Sequence, residues 1–404
     1  MLNKKILIVG AGIEQVLAIR RAKELGLHVV ACDGNPAAPG LSEADIGLNA
    51  DITNEDELFK IAQEHGVDGI FCHAVEIPQI ISRVARRLRL PGLDPEVAER
   101  ATNKATRISY LTEHGIPCAR FEIVHEQGEL AENCIRLGFP LVLKPIDNAG
   151  SRGVRIVSGE AELHAAYETA LKYSKTEEVL LEEVLTGPEI STESVVYGGE
   201  VNTFAFADRN YSRNKFFYPY FMEDGINFPS TLSVEIQDSI YRLVENTIKC
   251  LGIDFGAAKG DVIIDKGRPK IIEMAARTSG GWFGAGSIPI ATGSDMLKPL
   301  IQMAVGDVPD LGALEPTRML GCAQRYIIPT AEGIVDKITG IEDALESPGV
   351  AMHALFLPKS GTRIRRATNH AERYGQIICT GDTREQAMER CETAIAKIQI
   401  HLRD

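Results

Sequence analysis

The hydrophobic rhythm of this chain changes once, near residue 92, and the change demands two kinds of architecture in succession. Before it, Ile6-Leu7-Ile8-Val9, a helical stretch over 15–25, Val29-Val30-Ala31, a second helical stretch over 55–64 and Gly69-Ile70-Phe71 follow one another. Short apolar runs alternating with amphipathic helices imply a parallel sheet with helices on its faces. Leu90-Pro91-Gly92 ends that unit. A charged helical stretch over 94–112 follows and stops at Gly115-Ile116-Pro117. Strand-like runs then dominate: Leu141-Val142-Leu143, Val154-Arg155-Ile156-Val157, Val179-Leu180-Leu181, Ser194-Val195-Val196, Val262-Ile263-Ile264 and Lys270-Ile271-Ile272. Helical segments at 160–173 and 236–251 interrupt them, as in an α+β domain. The last hundred residues carry Arg325-Tyr326-Ile327-Ile328, Ala354-Leu355-Phe356-Leu357, Gln376-Ile377-Ile378-Cys379 and a closing helix over 384–398. The expected division is 1–93, 94–310 with a small lobe at about 115–190, and 311–404.

At 404 residues the chain exceeds one ordinary core and is large enough to enclose a cleft. Its 43 Lys and Arg against 56 Asp and Glu leave a net charge of −13, and no basic run with interleaved aromatics stands out. Nucleic acid is therefore not an expected partner. The eight cysteines are scattered, without a CxxC pair or a zinc-like histidine spacing, and read as buried thiols of a reducing compartment. No apolar stretch of membrane-spanning length and no leader-like start is found, so a cytoplasmic protein without a membrane partner is expected.

Gly10-Ala11-Gly12 stands where a strand turns into a helix, and Asp33 ends the next strand. A dinucleotide fingerprint needs a small residue where Gln15 stands, so a structural turn near the acceptor substrate is the preferred reading. Leu141-Val142-Leu143-Lys144-Pro145 delivers a lysine, and Asn148-Ala149-Gly150-Ser151-Arg152-Gly153 can close over an anion with its backbone N–H groups. Taken alone, this is equally a glycine hairpin beside a surface lysine. Leu180-Leu181-Glu182-Glu183-Val184-Leu185 runs from an apolar strand into a turn, with Glu189 where the chain resumes. That pattern can present backbone groups to a planar base and Glu189 to ribose hydroxyls, although paired glutamates are usually just solvated. Asp261-Val262-Ile263-Ile264-Asp265 and Lys270-Ile271-Ile272-Glu273 read as a hairpin with Asp261 at the start of one strand and Glu273 at the end of the other. Two such ends are neighbours in an antiparallel pair and can share hard divalent cations. Arg277, followed by Gly280-Gly281, would sit beside them as an anion clamp.

Taken together, Lys104 within Asn103-Lys104-Ala105-Thr106-Arg107, Lys144 with its glycine loop, the Glu182–Glu189 hinge, Asp261, Glu273 and Arg277 resemble the ATP-grasp superfamily in order and spacing. The resemblance implies an ATP-grasp fold, α/β and α+β, with an N-terminal Rossmann-like pre-ATP-grasp domain. The tail, with Gly333-Ile334-Val335, Pro348-Gly349-Val350 and Gly381-Asp382-Thr383, is similar to the C-terminal lobe of biotin carboxylases and bacterial L-amino-acid ligases. Glu223-Asp224-Gly225 and Phe228-Pro229-Ser230 are similar to the substrate-side loop of the latter. The resemblance further implies that Lys104 and Lys144 contact the phosphates of ATP beneath Ser151, Arg152 and Gly153. Glu182 and the Val184 and Leu185 backbone would hold adenine, and Glu189 ribose. Asp261 and Glu273 would bridge two Mg²⁺ ions, or Mn²⁺ in their place. One departure is Ala275, where many members carry Asn; carboxyaminoimidazole ribonucleotide synthases also have Ala there, but their G-G-G-Q-L-G-R start is absent.

The expected activity is ATP-dependent ligation of a small-molecule carboxylate to an amine through an acyl phosphate. Lys144 and Arg277 would neutralise phosphoryl charge, and backbone N–H groups near Gly280 and Gly281 would hold the oxyanion. Bicarbonate-dependent carboxylation and nucleotide binding without turnover are the alternatives, and a homodimer is compatible with the resemblance.

Overall fold

The strand Lys5–Val9 lies at the centre of a parallel sheet ordered Ile46–Asn49, His28–Asp33, Lys5–Val9, Gly69–Cys72. This computed structural model describes residues 3–403, so the outermost residues of the first and last expected segments, 1, 2 and 404, lie outside the described residues. Ile6, Leu7, Ile8 and Val9 are fully buried, the mark of a strand covered on both faces. Leu7, Val9, Val30 and Cys32 pack with Leu58, Ala62, Ile80 and Val84 on one face. Ile6, Ile8, Val29 and Ala31 pack on the other with Ala18, Ile19 and Ala22 of the helix Val16–Glu24. That second cluster also takes in Leu297, Leu300 and Ile301 of the helix Leu297–Ala304. The approach is close enough that a Cβ on Gly69 would lie 2.1 Å from the Ala304 carbonyl oxygen.

The charged stretch read as one helix over 94–112 is two, Pro95–Thr102 and Lys104–Glu113. Asn103 breaks it by adopting extended geometry, and its side chain accepts the N–H of Thr106 as an N-cap. Lys104 thereby becomes the first residue of a helix. The small lobe is an antiparallel sheet ordered Phe121–Val124, Val179–Glu183, Leu141–Pro145, Arg155–Val157, covered by the helices Leu130–Leu137 and Glu160–Leu171.

An eight-stranded sheet runs Arg268–Ala275, Phe255–Asp265, Glu189–Tyr197, Glu200–Asn210, Gly225–Phe228, Gly321–Tyr326, Gly375–Gly381, Val350–Leu355. Ile240, Leu243, Val244 and Ile248 of the helix Val234–Leu251 pack on its first four strands, and Ala387, Cys391 and Ala394 of the helix Arg384–Lys397 on Gly321–Tyr326 and Gly375–Gly381. The sheet crosses the expected boundary at 310, because Asn227 pairs with Ala323 and Phe228 with Cys322. A small sheet, Arg363–Ile364, Gly333–Thr339, Gln399–Arg403, completes the chain. All eight cysteines are free thiols. Among the described residues, no helix is long and apolar enough to cross a membrane.

Candidate active site

A cleft of about 880 Å³ opens between the small lobe, the uncovered face of the large sheet, the Gly12–Gln15 turn and the C-terminal strands. Its floor follows from strand alternation. Asp261 pairs with Ser191, Lys259 with Glu193 and Ile263 with Glu189, so these six side chains share the cleft face. Asp261 is not at the start of its strand, as expected, but well inside Phe255–Asp265. The small residues Gly256, Ala257, Ala258 and Gly260 hide the strand's first half from a search for apolar runs.

Glu273 reaches that face through a bulge. Lys270 pairs with Ile263, so simple alternation would turn Ile272 to the cleft and Glu273 away from it. The register shifts between Asp261 and Val262, inserting one extra residue in the partner strand and setting Glu273 directly opposite Asp261. The expected juxtaposition of the two carboxylates therefore exists. Ala275 lies opposite Lys259, whose ammonium bonds Asp261 and lies 3.7 Å from Glu273. Ser191 donates to Asp261 at 3.0 Å, Arg209 Nη1 lies 2.9 Å from it, and Arg107 Nη2 lies 3.4 Å from Glu273. Burial alone would push the Glu273 carboxyl up; Lys259, Arg107, Lys104 and Arg277 together hold it well below its ordinary value.

Lys144 and Glu182 project from the same face of the small-lobe sheet, and Nζ lies 2.6 Å from Oε2. The Lys104 ammonium donates to the Asn148 carbonyl and so holds the base of the glycine loop; burial lowers its pKa. Gly150, Ser151, Arg152, Leu185 and Glu189 line the cleft. Val184 and Gly153 do not: Gly153 packs towards Tyr173, Pro145 and Ala170. Burial raises the Glu189 carboxyl against the opposing charge of Arg209.

The segment Arg277–Gly281 is gripped from every side. Arg277 Nε donates to Glu76 Oε2 at 2.5 Å, and Nη1 to the Thr278 carbonyl at 3.0 Å. Thr278 Oγ1 accepts the Ala74 N–H at 2.7 Å and lies 2.9 Å from His73 Nδ1. Ser279 donates through its N–H and hydroxyl to Glu193. The Gly281 N–H, expected to face an oxyanion, donates to Glu14 at 2.9 Å instead. Gly280 lines the cleft beside Glu14. Gly281 has φ +68, and a Cβ there would lie 2.2 Å from the Tyr326 hydroxyl oxygen. The opening glycine turn is plugged by Gln15, which donates to the His73 carbonyl at 2.6 Å, while Asp33 accepts the N–H groups of Ala11 and Asn35. A carboxylate so occupied is not presented to a ribose.

Sequence reasoning missed Lys259, Arg209, Glu193, Glu14, Glu76, Tyr326, His370 and Arg373, all but Glu193 on the cleft wall. Lys259 lay two residues before Asp261, on the same face of one strand, and could have been found by that spacing. The others come from distant segments, and no local signal marks them.

A family model described as D-ala D-ala ligase C-terminus matches residues 110–280, and one described as L-amino acid ligase C-terminal domain 2 matches residues 325–403. The L-amino acid ligase structure from Bacillus licheniformis superimposes with a TM-score of 0.85 at 22% identity, covering 100% of both chains. The formate-dependent phosphoribosylglycinamide formyltransferase of Bacteroides fragilis is 30% identical over 192 residues, 45% of this chain and 48% of that one. The D-alanine–D-alanine ligase of Bordetella pertussis is 28% identical over 233 residues, 56% of this chain and 69% of that one. Residues 110–280 and 325–403 of this chain thus match ligase domains, and the chain as a whole has the ATP-grasp fold.

ATP-grasp ligases use ATP with Mg²⁺ and small-molecule substrates. The cleft of this ATP-grasp fold suits such a cation by the chemistry of its donors, since Asp261 and Glu273 offer only carboxylate oxygens. Mg²⁺ is ordinarily held by one or two carboxylates together with substrate phosphates. Among the described residues no cluster of three or more His, Cys, Asp or Glu could hold a metal without such help.

Proposed function

We propose that this chain is an ATP-grasp ligase that phosphorylates a carboxylate substrate and joins the acyl group to an amine, releasing ADP and phosphate. The observation that carries the reading is the division of charge along one cleft. Lys104, Lys144, Lys259 and Arg107 gather at the end holding Asp261 and Glu273, and the Arg277–Glu76 pair stands beyond them. The first group suits a triphosphate; the second offers an anion site and a cation site side by side.

Lys104 and Lys144 take phosphate oxygens beneath Ser151 and Arg152, Glu182 with the Leu185 backbone takes the base, and Glu189 takes the ribose. Asp261 and Glu273 hold Mg²⁺, two ions in this proposal, which supplies Lewis-acid neutralisation of phosphoryl oxygens when bound. The substrate carboxylate oxygen attacks the γ-phosphorus, the bond to the β-phosphate oxygen breaks, and Lys144, Lys259 and Arg277 stabilise the charge that spreads over the transferred group. The amine then attacks the acyl carbon, inorganic phosphate leaves, and the amine gives up a proton. Arg277 and the backbone at Gly280 and Gly281 steady the oxyanion, for which Glu14 must release the Gly281 N–H. The glycine loop excludes water from the acyl phosphate. The division 1–93, 94–310 and 311–404, a cytoplasmic location and a homodimer belong to the same proposal; light scattering checks the last.

The test is ADP and phosphate release across a panel of carboxylic acids, each with and without an amine. Release that requires both supports ligation. Stimulation by bicarbonate alone, or no turnover with any pair, overturns it.

A further inference from the structure

We infer that His370 is a positioning residue that ties the glycine loop to residues 221–223 on the acceptor side of the cleft. The inference rests on the reading that this loop covers the bound nucleotide. His370 belongs to the loop between the strands Arg363–Ile364 and Gly375–Gly381, far from either partner in sequence, and it lines the cleft. Its approach is fixed by Asn369, a buried residue whose side chain accepts the Ala371 N–H at 3.0 Å. The His370 N–H donates to the Gly150 carbonyl at 2.9 Å, so the C-terminal segment grips the glycine loop directly.

The ring carries the second half of the tie. Burial first, then Arg373, Arg209 and Lys259, hold it well below its ordinary pKa, so it is neutral and has one donor and one acceptor nitrogen. Nε2 faces the Glu223 N–H at 3.3 Å, which makes it the acceptor and leaves the proton on Nδ1 for the Phe221 backbone. Ser151 Oγ lies 3.4 Å from the same Nε2. One lone pair thus serves a donor from the glycine loop and a donor from the acceptor side, and both distances are long, as a shared acceptor requires. Glu223 continues into the site, since its carboxylate lies 2.7 Å from Arg209, which bonds Asp261. A shift of residues 221–223 changes how firmly Ser151 is held, and through it how tightly the loop closes.

Arg152 within the loop provides the readout, because trypsin cuts after it when the loop is open. The protein is digested with Mg²⁺ and a non-hydrolysable ATP analogue, and the Arg152–Gly153 cut is followed by mass spectrometry. In the unaltered protein the analogue slows this cut. His370→Ala is expected to speed it roughly three- to tenfold with analogue bound, the scale of one hydrogen bond lost. His370→Gln restores protection, because an amide oxygen can accept from Ser151 or Glu223. Ser151→Ala gives the same direction without touching the C-terminal segment, and the double variant is no faster than His370→Ala alone. Full protection in His370→Ala, or a His370→Gln variant that behaves as His370→Ala, overturns the tie while leaving the nucleotide site intact. An analogue that protects nothing in the unaltered protein removes the loop's nucleotide role, and the tie with it.

Discussion

Lys144 Nζ lies 2.6 Å from Glu182 Oε2, and both side chains are about nine-tenths buried. Breaking a buried pair leaves the remaining charge uncompensated, at a cost of about 3–5 kcal/mol. Access from the cleft places this pair at the lower end. Lys144→Ala is expected to lower stability by about 3 kcal/mol and to weaken ATP binding. Adding Glu182→Gln should recover the stability and not the affinity. Thermal melts and calorimetry separate the two, and a Lys144→Ala variant with unchanged ATP affinity would make Lys144 purely structural.

Glu273→Gln keeps the volume and the strand register but removes a charge surrounded by Lys259, Arg107, Lys104 and Arg277. Mg²⁺-dependent turnover should fall to a small residue with the fold preserved by circular dichroism. Near-normal turnover would remove Glu273 from the metal site.

The Arg277 guanidinium meets Glu76 along one edge, a geometry that lysine cannot copy. Arg277→Lys should cost roughly 2–4 kcal/mol of transition-state stabilisation, the scale of one preorganised donor. Calorimetry should find ATP affinity little changed. An equal loss of affinity and turnover would assign Arg277 to the nucleotide instead.

Glu193 is fully buried, and burial lifts its carboxyl from 4.5 to about 7 against the hydrogen bonds from Ser279. The folded protein therefore binds the proton more tightly than the unfolded chain. Between about pH 4.5 and 7 this group's contribution to stability falls as pH rises, and above about 7 it levels off. Glu193→Gln should flatten that part of the profile and raise the melting temperature at pH 8. A variant that melts below the unaltered protein at pH 8 would show that the ionised carboxylate is needed to hold Ser279.

Where local pattern and tertiary role agree, the sequence was readable. Glu273 ends an apolar run, and Ile6-Leu7-Ile8-Val9, fully buried, is apolar throughout; Asn103, which splits the stretch over 94–112 into two helices, was not read as a break. The strand Glu200–Asn210 was invisible because Asn202, Thr203, Asp208 and the cleft-lining Arg209 interrupt its hydrophobic signal. The bulge that turns Glu273 inward has no signature beyond one more isoleucine. His370 and Arg373 acquire their surroundings only when the last strands join the central sheet, a contact between segments far apart in sequence.

The helix Leu297–Ala304 covers one face of the sheet that opens the chain, and Gly321–Tyr326 supplies the neighbour of Gly225–Phe228. For a chain made from its N-terminus, this sets a schedule. The first sheet emerges from the ribosome early, with this face covered by Val16–Glu24 alone until residues 297–304 have been synthesised. The strand Gly225–Phe228 pairs early with Glu200–Asn210, but its other edge stays open until Gly321–Tyr326 is made. Nascent chains of this protein thus spend much of their synthesis with apolar surface and an open strand edge exposed, the condition in which chaperones engage a chain.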